Sequence, residues 1–286
     1  LENTLVRDLI DAGIHFGHRV GRWNPKMKPY IFCSRNSIHI INIKETIKGL
    51  LRSKKFLINM VASGKDVLFV GTKRQARQPI IKHATRCGMP YVTERWLGGS
   101  LTNFRTIRSR LGRLIELEEM DAKGVMAAES KKMESTLRRE LRKVKRNLDG
   151  IRTMERLPGA LVVIDSRREY LAVREALKLG IPTICLLDTD SDPDLVNIPI
   201  PGNDDAMRSI DIIIGQLADA VLAGKQTRPT EAEAASKADQ RPRSQRITTS
   251  RVAESIVENQ PTTNQQSTQR ADAAPTASPN MTKPTS

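Results

Sequence analysis

Six aspartates crowd two short stretches of the sequence: Asp188, Asp190, Asp192 and Asp194 in LLDTDSDPD, and Asp204 and Asp205 in IPGNDDAMR. Carboxylates gathered this way can hold a divalent cation, act as acid and base, or cap turns and helices. Capping suits Asn203 and Asp204 ahead of a helix, but it does not need six carboxylates. One imidazole brought to two or three of them would make a zinc or magnesium site. His18 of HFGH is the better ligand candidate, and His15 is expected as a buried hydrogen-bonding group. No H-E-x-x-H, nucleophile elbow or kinase set occurs, and neither Lys nor Ser sits in a motif that would activate it, so catalysis has little to stand on. Cys33, Cys87 and Cys185 form no C-x-x-C pair and are expected as reduced thiols filling space.

Phosphate binding is the second chemistry on offer. In FVGTKRQA a glycine ends a strand and Thr72, Lys73 and Arg74 open a helix, placing free N–H groups beside two cations. Neither G-x-x-x-x-G-K-[ST] nor G-x-G-x-x-G occurs, so an RNA backbone phosphate is a better expectation here than a mononucleotide. ERWLGGSLTNFRTIRSR sets Arg95 and Trp96 ahead of Gly98 and Gly99. Thr102 or Asn103 can then cap a helix decorated by Arg105, Arg108 and Arg110. Trp96 stays open between a core role and stacking on a ribose or base. Within GIHFGHRVGRWNPKMKPYIF, residues 13–32, Arg19, Arg22, Lys26 and Lys28 are expected to meet phosphates. Trp23, Pro25, Pro29, Tyr30 and Phe32 are expected to anchor that segment, its prolines lowering the entropy lost on binding.

These residues need a frame. SIHIINI, DVLFVG, MPYV, ALVVID, PTICLLD and VNIPI are β-rich runs that alternate with helical patterns near 44–62, 73–86, 168–179 and 203–223. Val67–Val70 and Leu161–Ile164 are apolar without alternation, as strands covered on both faces are, which predicts a parallel sheet between helices. Gly180 ahead of Ile181 and Pro182 closes one of those helices. Residues 104–150 differ. Apolar positions step by three and four through Ile107, Leu111 and Leu114, then Met133, Leu137, Leu141, Val144 and Leu148, with a break at MDAKGVMA. Two long amphipathic helices folded together satisfy that pattern. The second, from Ala128 to Asp149, would reach roughly 33 Å and should project from the sheet domain. Its outer face carries Arg138, Arg139, Arg142, Lys143, Lys145 and Arg146, an excess of one sign that suits phosphates.

The totals agree. Among 286 residues, 38% are apolar, enough for a core, and 47 Lys and Arg against 32 Asp and Glu give a charge of +15. Such a field draws polyanions. No apolar run approaches the roughly 20 residues that span a bilayer, and LENTLVRDLIDAG lacks the order of a signal peptide. A cytosolic protein without a membrane partner is expected. Residues 225–286 hold no aromatic residue and no leucine, and are expected to be a disordered tail.

HFGH, WNPKMKPYIF, IHIINI, FVGTKRQA, RWLGGSLTNF, VVIDSRREY, GIP, DTDSDPD and IPGNDDA follow one another over residues 5–223. The series resembles the bacterial-type family of small-subunit ribosomal protein two. That resemblance implies a flavodoxin-like parallel sheet, residues 1–103 and 151–224, with residues 104–150 inserted as a helical hairpin or coiled coil. It also implies a non-catalytic role: a structural component of the ribosome that binds small-subunit ribosomal RNA and has ribosomal protein neighbours. One neighbour would be the large OB-fold protein that recruits messenger RNA. No small-molecule substrate and no obligatory cofactor follow. His15, His18, Arg19, Trp23, Asn24, Lys26 and Lys28 fall in the family's first signature, and Trp96 to Phe104 in its second. His18 with Asp188, Asp204 and Asp205 resembles a pocket proposed to hold a metal, zinc or magnesium, in some members. Asp190 stands where the family usually has Asn.

Overall fold

The computed structural model describes residues 2–124 and 130–228, all within one compact unit. Five strands, β4 (Val67–Val70), β5 (Tyr91–Val92), β6 (Ala160–Ile164), β7 (Thr183–Leu187) and β8 (Ile198–Pro201), form a parallel sheet in the order β5-β4-β6-β7-β8. Counted along the chain that is 2-1-3-4-5, the flavodoxin-like order, with its switch point between β4 and β6. Both faces are covered, as the unalternating runs require. Phe69, Val162, Ile164, Ile184, Leu186 and Ile200 face α2 (Ile43–Ala62), α3 (Arg74–Cys87) and α7 (Met207–Gln226). Leu68, Val70, Leu161, Val163, Cys185 and Leu187 face α6 (Tyr170–Lys178) and the bases of α4 (Phe104–Ala122) and α5 (Lys131–Leu148). Cys87 and Cys185 are buried thiols of this core; Cys33 is exposed.

SIHIINI does not join that sheet. Its strand, β3 (Ile38–Ile41), lies between β1 (Phe16–Arg19) and β2 (Ile31–Arg35) in an antiparallel sheet of order β1-β3-β2. FGHR and IFCSR carry no apolar alternation because most of their side chains are exposed, so backbone pairing rather than a buried face organises them. α1 (Glu2–Asp11) precedes this sheet. α6 ends at Lys178, and Gly180 just beyond its cap takes φ 66, as the sequence predicts.

α4 and α5 flank residues 125–129, which lie outside the described segments, as do residues 229–286 of the expected tail. Residues 225–226, placed in that tail, instead extend α7. Ile107, Leu111 and Leu114 of α4 join Leu141, Val144 and Leu148 of α5 in the core. Lys145–Glu118 at 3.2 Å and Arg138–Asp121 at 3.9 Å tie the two helices side by side. Met133, expected on the apolar stripe, is 49% exposed.

Candidate nucleic-acid interface and the carboxylate cluster behind it

The C-terminal ends of β4, β6, β7 and β8 converge at the switch point, the place where an open α/β sheet holds its ligand. Here the chain fills that place with its own groups. Lys73, from the turn after β4, puts its ammonium 2.7 Å from Asp204 Oδ1, 2.6 Å from Asp205 Oδ1 and 3.8 Å from Asp165 Oδ2. His18 comes from the other sheet because Gly17 lets β1 pass close to the turn after β7. A Cβ there would stand 2.7 Å from Thr189 Cγ2. His18 then donates its backbone N–H to Thr189 Oγ1 at 3.0 Å and sets Nδ1 2.8 Å from Asp188 Oδ2 and Nε2 3.8 Å from Asp205 Oδ2.

All four residues of the metal expectation thus meet, and their electrostatics explain what holds them. The Asp188 carboxylate beside Nδ1 pushes the His18 pKa up to about 9, favouring the imidazolium. Burial opposes the Lys73 charge, but Asp204 and Asp205 outweigh it and push the amine up to about 12. Burial, then the neighbouring Asp165, push Asp204 up to about 7. Two internal cations, Lys73 and His18, thus face four carboxylates, Asp165, Asp188, Asp204 and Asp205, and Asp204 Oδ2 is buried without a hydrogen-bond partner among the described residues. Among the described residues no group of three or more His, Cys, Asp or Glu is arranged to hold a metal ion. The Lys73 ammonium lies between Asp204 and Asp205, where a cation shared by that pair would sit.

The other aspartates have local duties. Asp190 pairs with Arg167 at 2.9 Å, and Asp192 and Asp194 each lie 2.8 Å from Lys26 Nζ. Asn203, not Asp204, makes the turn before α7, its Oδ1 accepting from Asp205 N and Ala206 N. His15 is half-buried, and among the described residues its Nδ1 has no hydrogen-bond partner.

The phosphate expectation at FVGTKRQA meets a different arrangement. Glu169 Oε1 already accepts from Thr72 N, at 2.7 Å, and from the Thr72 hydroxyl, so the N–H is taken by an internal anion. Thr72 and Lys73 face inward, and Arg74 alone of the three is exposed. Nothing local to FVGTKRQA could have shown this, because the competing carboxylate comes from the β6–α6 turn.

Trp96 is buried, which removes it as a stacking surface. Its indole N–H donates to Glu175 Oε1 at 3.1 Å, and Gly99 N donates to the same oxygen at 2.8 Å. Glu175 Oε2 accepts from Leu101 N, Thr102 N and Thr102 Oγ1 at 2.9, 3.1 and 3.2 Å. Asn103 occupies the cap position of α4 without a capping bond from its side chain, which accepts from Thr106 Oγ1 instead. Trp23, by contrast, is 37% exposed and backs onto His39, ring centroids 5.2 Å apart. Asn24 Oδ1 accepts from Lys26 N and shapes the turn.

Of the expected phosphate-contacting cations, Arg19, Arg22, Lys28, Arg95, Arg105 and Arg110 are exposed and, among the described residues, make no ion pair, as does Arg142. Arg108 donates to Glu155 O at 3.3 Å. Lys26, Arg138 and Arg146 are paired, with Asp192 and Asp194, with Glu134 at 3.0 Å, and with Glu94 at 3.5 Å. Arg139 and Lys143, noted on the outer face of α5, are exposed, make no ion pair among the described residues, and share a stripe with Arg142.

The strand ends of this α/β domain carry its own ion pairs, and a set of exposed cations is mounted on its surface, which makes it a candidate binding domain for a polyanion. The sequence profile described as Ribosomal protein S2 matches residues 9–224, and the chain belongs to that family, a structural and non-enzymatic component of the small ribosomal subunit. It is 57% identical over 232 residues to small ribosomal subunit protein uS2 of Rhodopirellula baltica, covering 81% of this chain and 89% of the relative. It is 52% identical over 228 residues to uS2c of Porphyra purpurea, covering 79% and 95%. With uS2 of Dictyoglomus thermophilum it shares 49% identity over 233 residues, 82% and 95% of the two chains.

Proposed function

We propose that this chain is a structural component of the small ribosomal subunit, acting in the ribosome in the cytoplasm, which grips the subunit's RNA by exposed cations and packs against neighbouring ribosomal proteins. The observation that carries this reading is the set of exposed cations on α4 and α5 that make no ion pair among the described residues, with Arg139, Arg142 and Lys143 in one stripe. In this reading α4 and α5 are an inserted coiled-coil arm that projects from the sheet domain, residues 1–103 and 151–224. Arg19, Arg22, Lys28 and the exposed Trp23 make a second contact area at the β1–β2 turn. The large OB-fold protein that recruits messenger RNA belongs among the neighbours. A basic surface of this kind selects a folded RNA by shape and phosphate position.

Sedimentation through a sucrose gradient tests the reading directly: the protein is expected with small subunits at physiological ionic strength. Affinity for small-subunit RNA is expected to fall linearly with the logarithm of salt, since each neutralised phosphate releases counterions. A protein that stays at the top of the gradient and binds that RNA without salt dependence is not this component.

A further inference from the structure

Glu175 is an anomaly for a helix packed on a sheet. Its neighbours Ala172, Val173 and Ala176 are buried and apolar, and Glu175 itself is 8% exposed. Among the described residues it has no cationic partner. Its donors are five N–H and O–H groups from residues 96–102, three of them backbone N–H groups. Burial opposes its charge, but the N–H groups of Leu101, Thr102 and Gly99 and the Trp96 indole prevail, holding the carboxyl below its ordinary range.

The turn it holds is stiff in its own right. Ser100 N donates to Leu97 O at 3.0 Å, Asn103 N donates to Gly99 O at 2.8 Å, and Gly99 takes φ 88, open to glycine. α4 starts at Phe104, two residues beyond the last donor. The far root of the same helix pair is seated elsewhere, where Gly150, following α5, packs so tightly on Tyr91 of β5 that a Cβ would collide with it. Two roots on two elements fix a direction, whereas one root leaves a pivot.

We propose that Glu175 is the positioning residue that aims the α4–α5 arm, so that the arm's cations and those of the β1–β2 turn meet the phosphates of one folded RNA together. This inference rests on the RNA-binding reading above. Directionality is what a carboxylate in a ring of N–H groups supplies and apolar packing does not, because hydrogen bonds weaken steeply off axis while dispersion does not. Replacing one oxygen by an amide turns N–H toward N–H and releases part of the turn without removing side-chain volume.

The test compares Glu175→Gln with wild type and with Arg139→Gln, Arg142→Gln, Lys143→Gln combined, measuring binding of full-length chain to small-subunit ribosomal RNA between low and moderate salt. Glu175→Gln is expected to remain folded by circular dichroism, to bind on the order of tenfold more weakly at low salt, and to show a shallower salt slope. In the Glu175→Gln background the triple change should then do little more. A merely structural role would lower the melting temperature yet leave the slope of the folded protein, and the effect of the triple change, as in wild type; that pattern overturns the proposal. Should Glu175→Gln fail to fold, Thr102→Val, which removes one side-chain donor, decides by the same slope in graded form. Wild type that binds without salt dependence refutes the RNA-binding reading instead, a separate outcome.

Discussion

Lys73 is the residue on which the strand ends depend. Without its ammonium, Asp204, 1% exposed, and Asp165 would face one another with His18 as the remaining cation. Lys73→Met is expected to cost about 3 kcal/mol at pH 8, the penalty for stranding a buried charge. Asp204 sets the pH dependence. Its folded pKa, about 7, lies above the unfolded value near 3.8, so the folded state holds the extra proton and stability from this group falls as pH rises through 7. The Lys73→Met penalty should therefore shrink at pH 5.5, which denaturant melts at the two pH values will check. His18 follows the same sign in another window. Raised to about 9 from 6.5, it contributes fully below pH 6.5 and loses that contribution as pH rises through 9. His18→Gln and wild type should differ in melting temperature at pH 6 and converge by pH 10. Because Lys73 supplies the charge a metal would supply, a chelator or added zinc is expected to leave the wild-type melting temperature unchanged; a rise of several degrees with zinc would show a site the present arrangement lacks.

At the scale of elements, pairing within the arm decides which cations are free for RNA. Arg138 and Arg146 already face Glu134 and Glu94, so each must leave a carboxylate before it meets a phosphate. Arg139→Gln, Arg142→Gln, Lys143→Gln combined should reduce the slope of log affinity against log salt by about two to three, roughly 0.7 to 0.9 per lost phosphate contact. Changing Arg138 and Arg146 together should reduce it less, in the same salt titration. The helix pattern of α4 and α5 was legible from steps of three and four, and so was the basic outer face. The pairing of Arg138 with Glu134, four residues away, was legible too, whereas that of Arg146 was not, since Glu94 lies just past β5, far along the chain. β1 and β2 were missed for another reason: strands with exposed side chains on both faces carry no hydrophobic period to read.

For the molecule as a whole, the sheet is the centre of the core, and its residue Phe69 is fully buried. Phe69→Ala is expected to cost about 3–5 kcal/mol and to lower the recovery of folded protein in subunits, without changing the salt slope of the fraction that folds. The sequence by itself determined the two-faced parallel sheet, the helices between its strands, the basic surface and the absence of a nucleotide loop. Those properties are local in period or additive in charge, so each can be counted along one strand of text. Only the tertiary structure decided that Trp96 is core, that Thr72 serves Glu169, that Lys73 stands among the carboxylates, and that Glu175 holds the foot of α4. Every one of these joins groups 73 to 131 residues apart. A polar side chain's role depends on which partner reaches it first at about 3 Å, and spacing along the chain does not encode that distance.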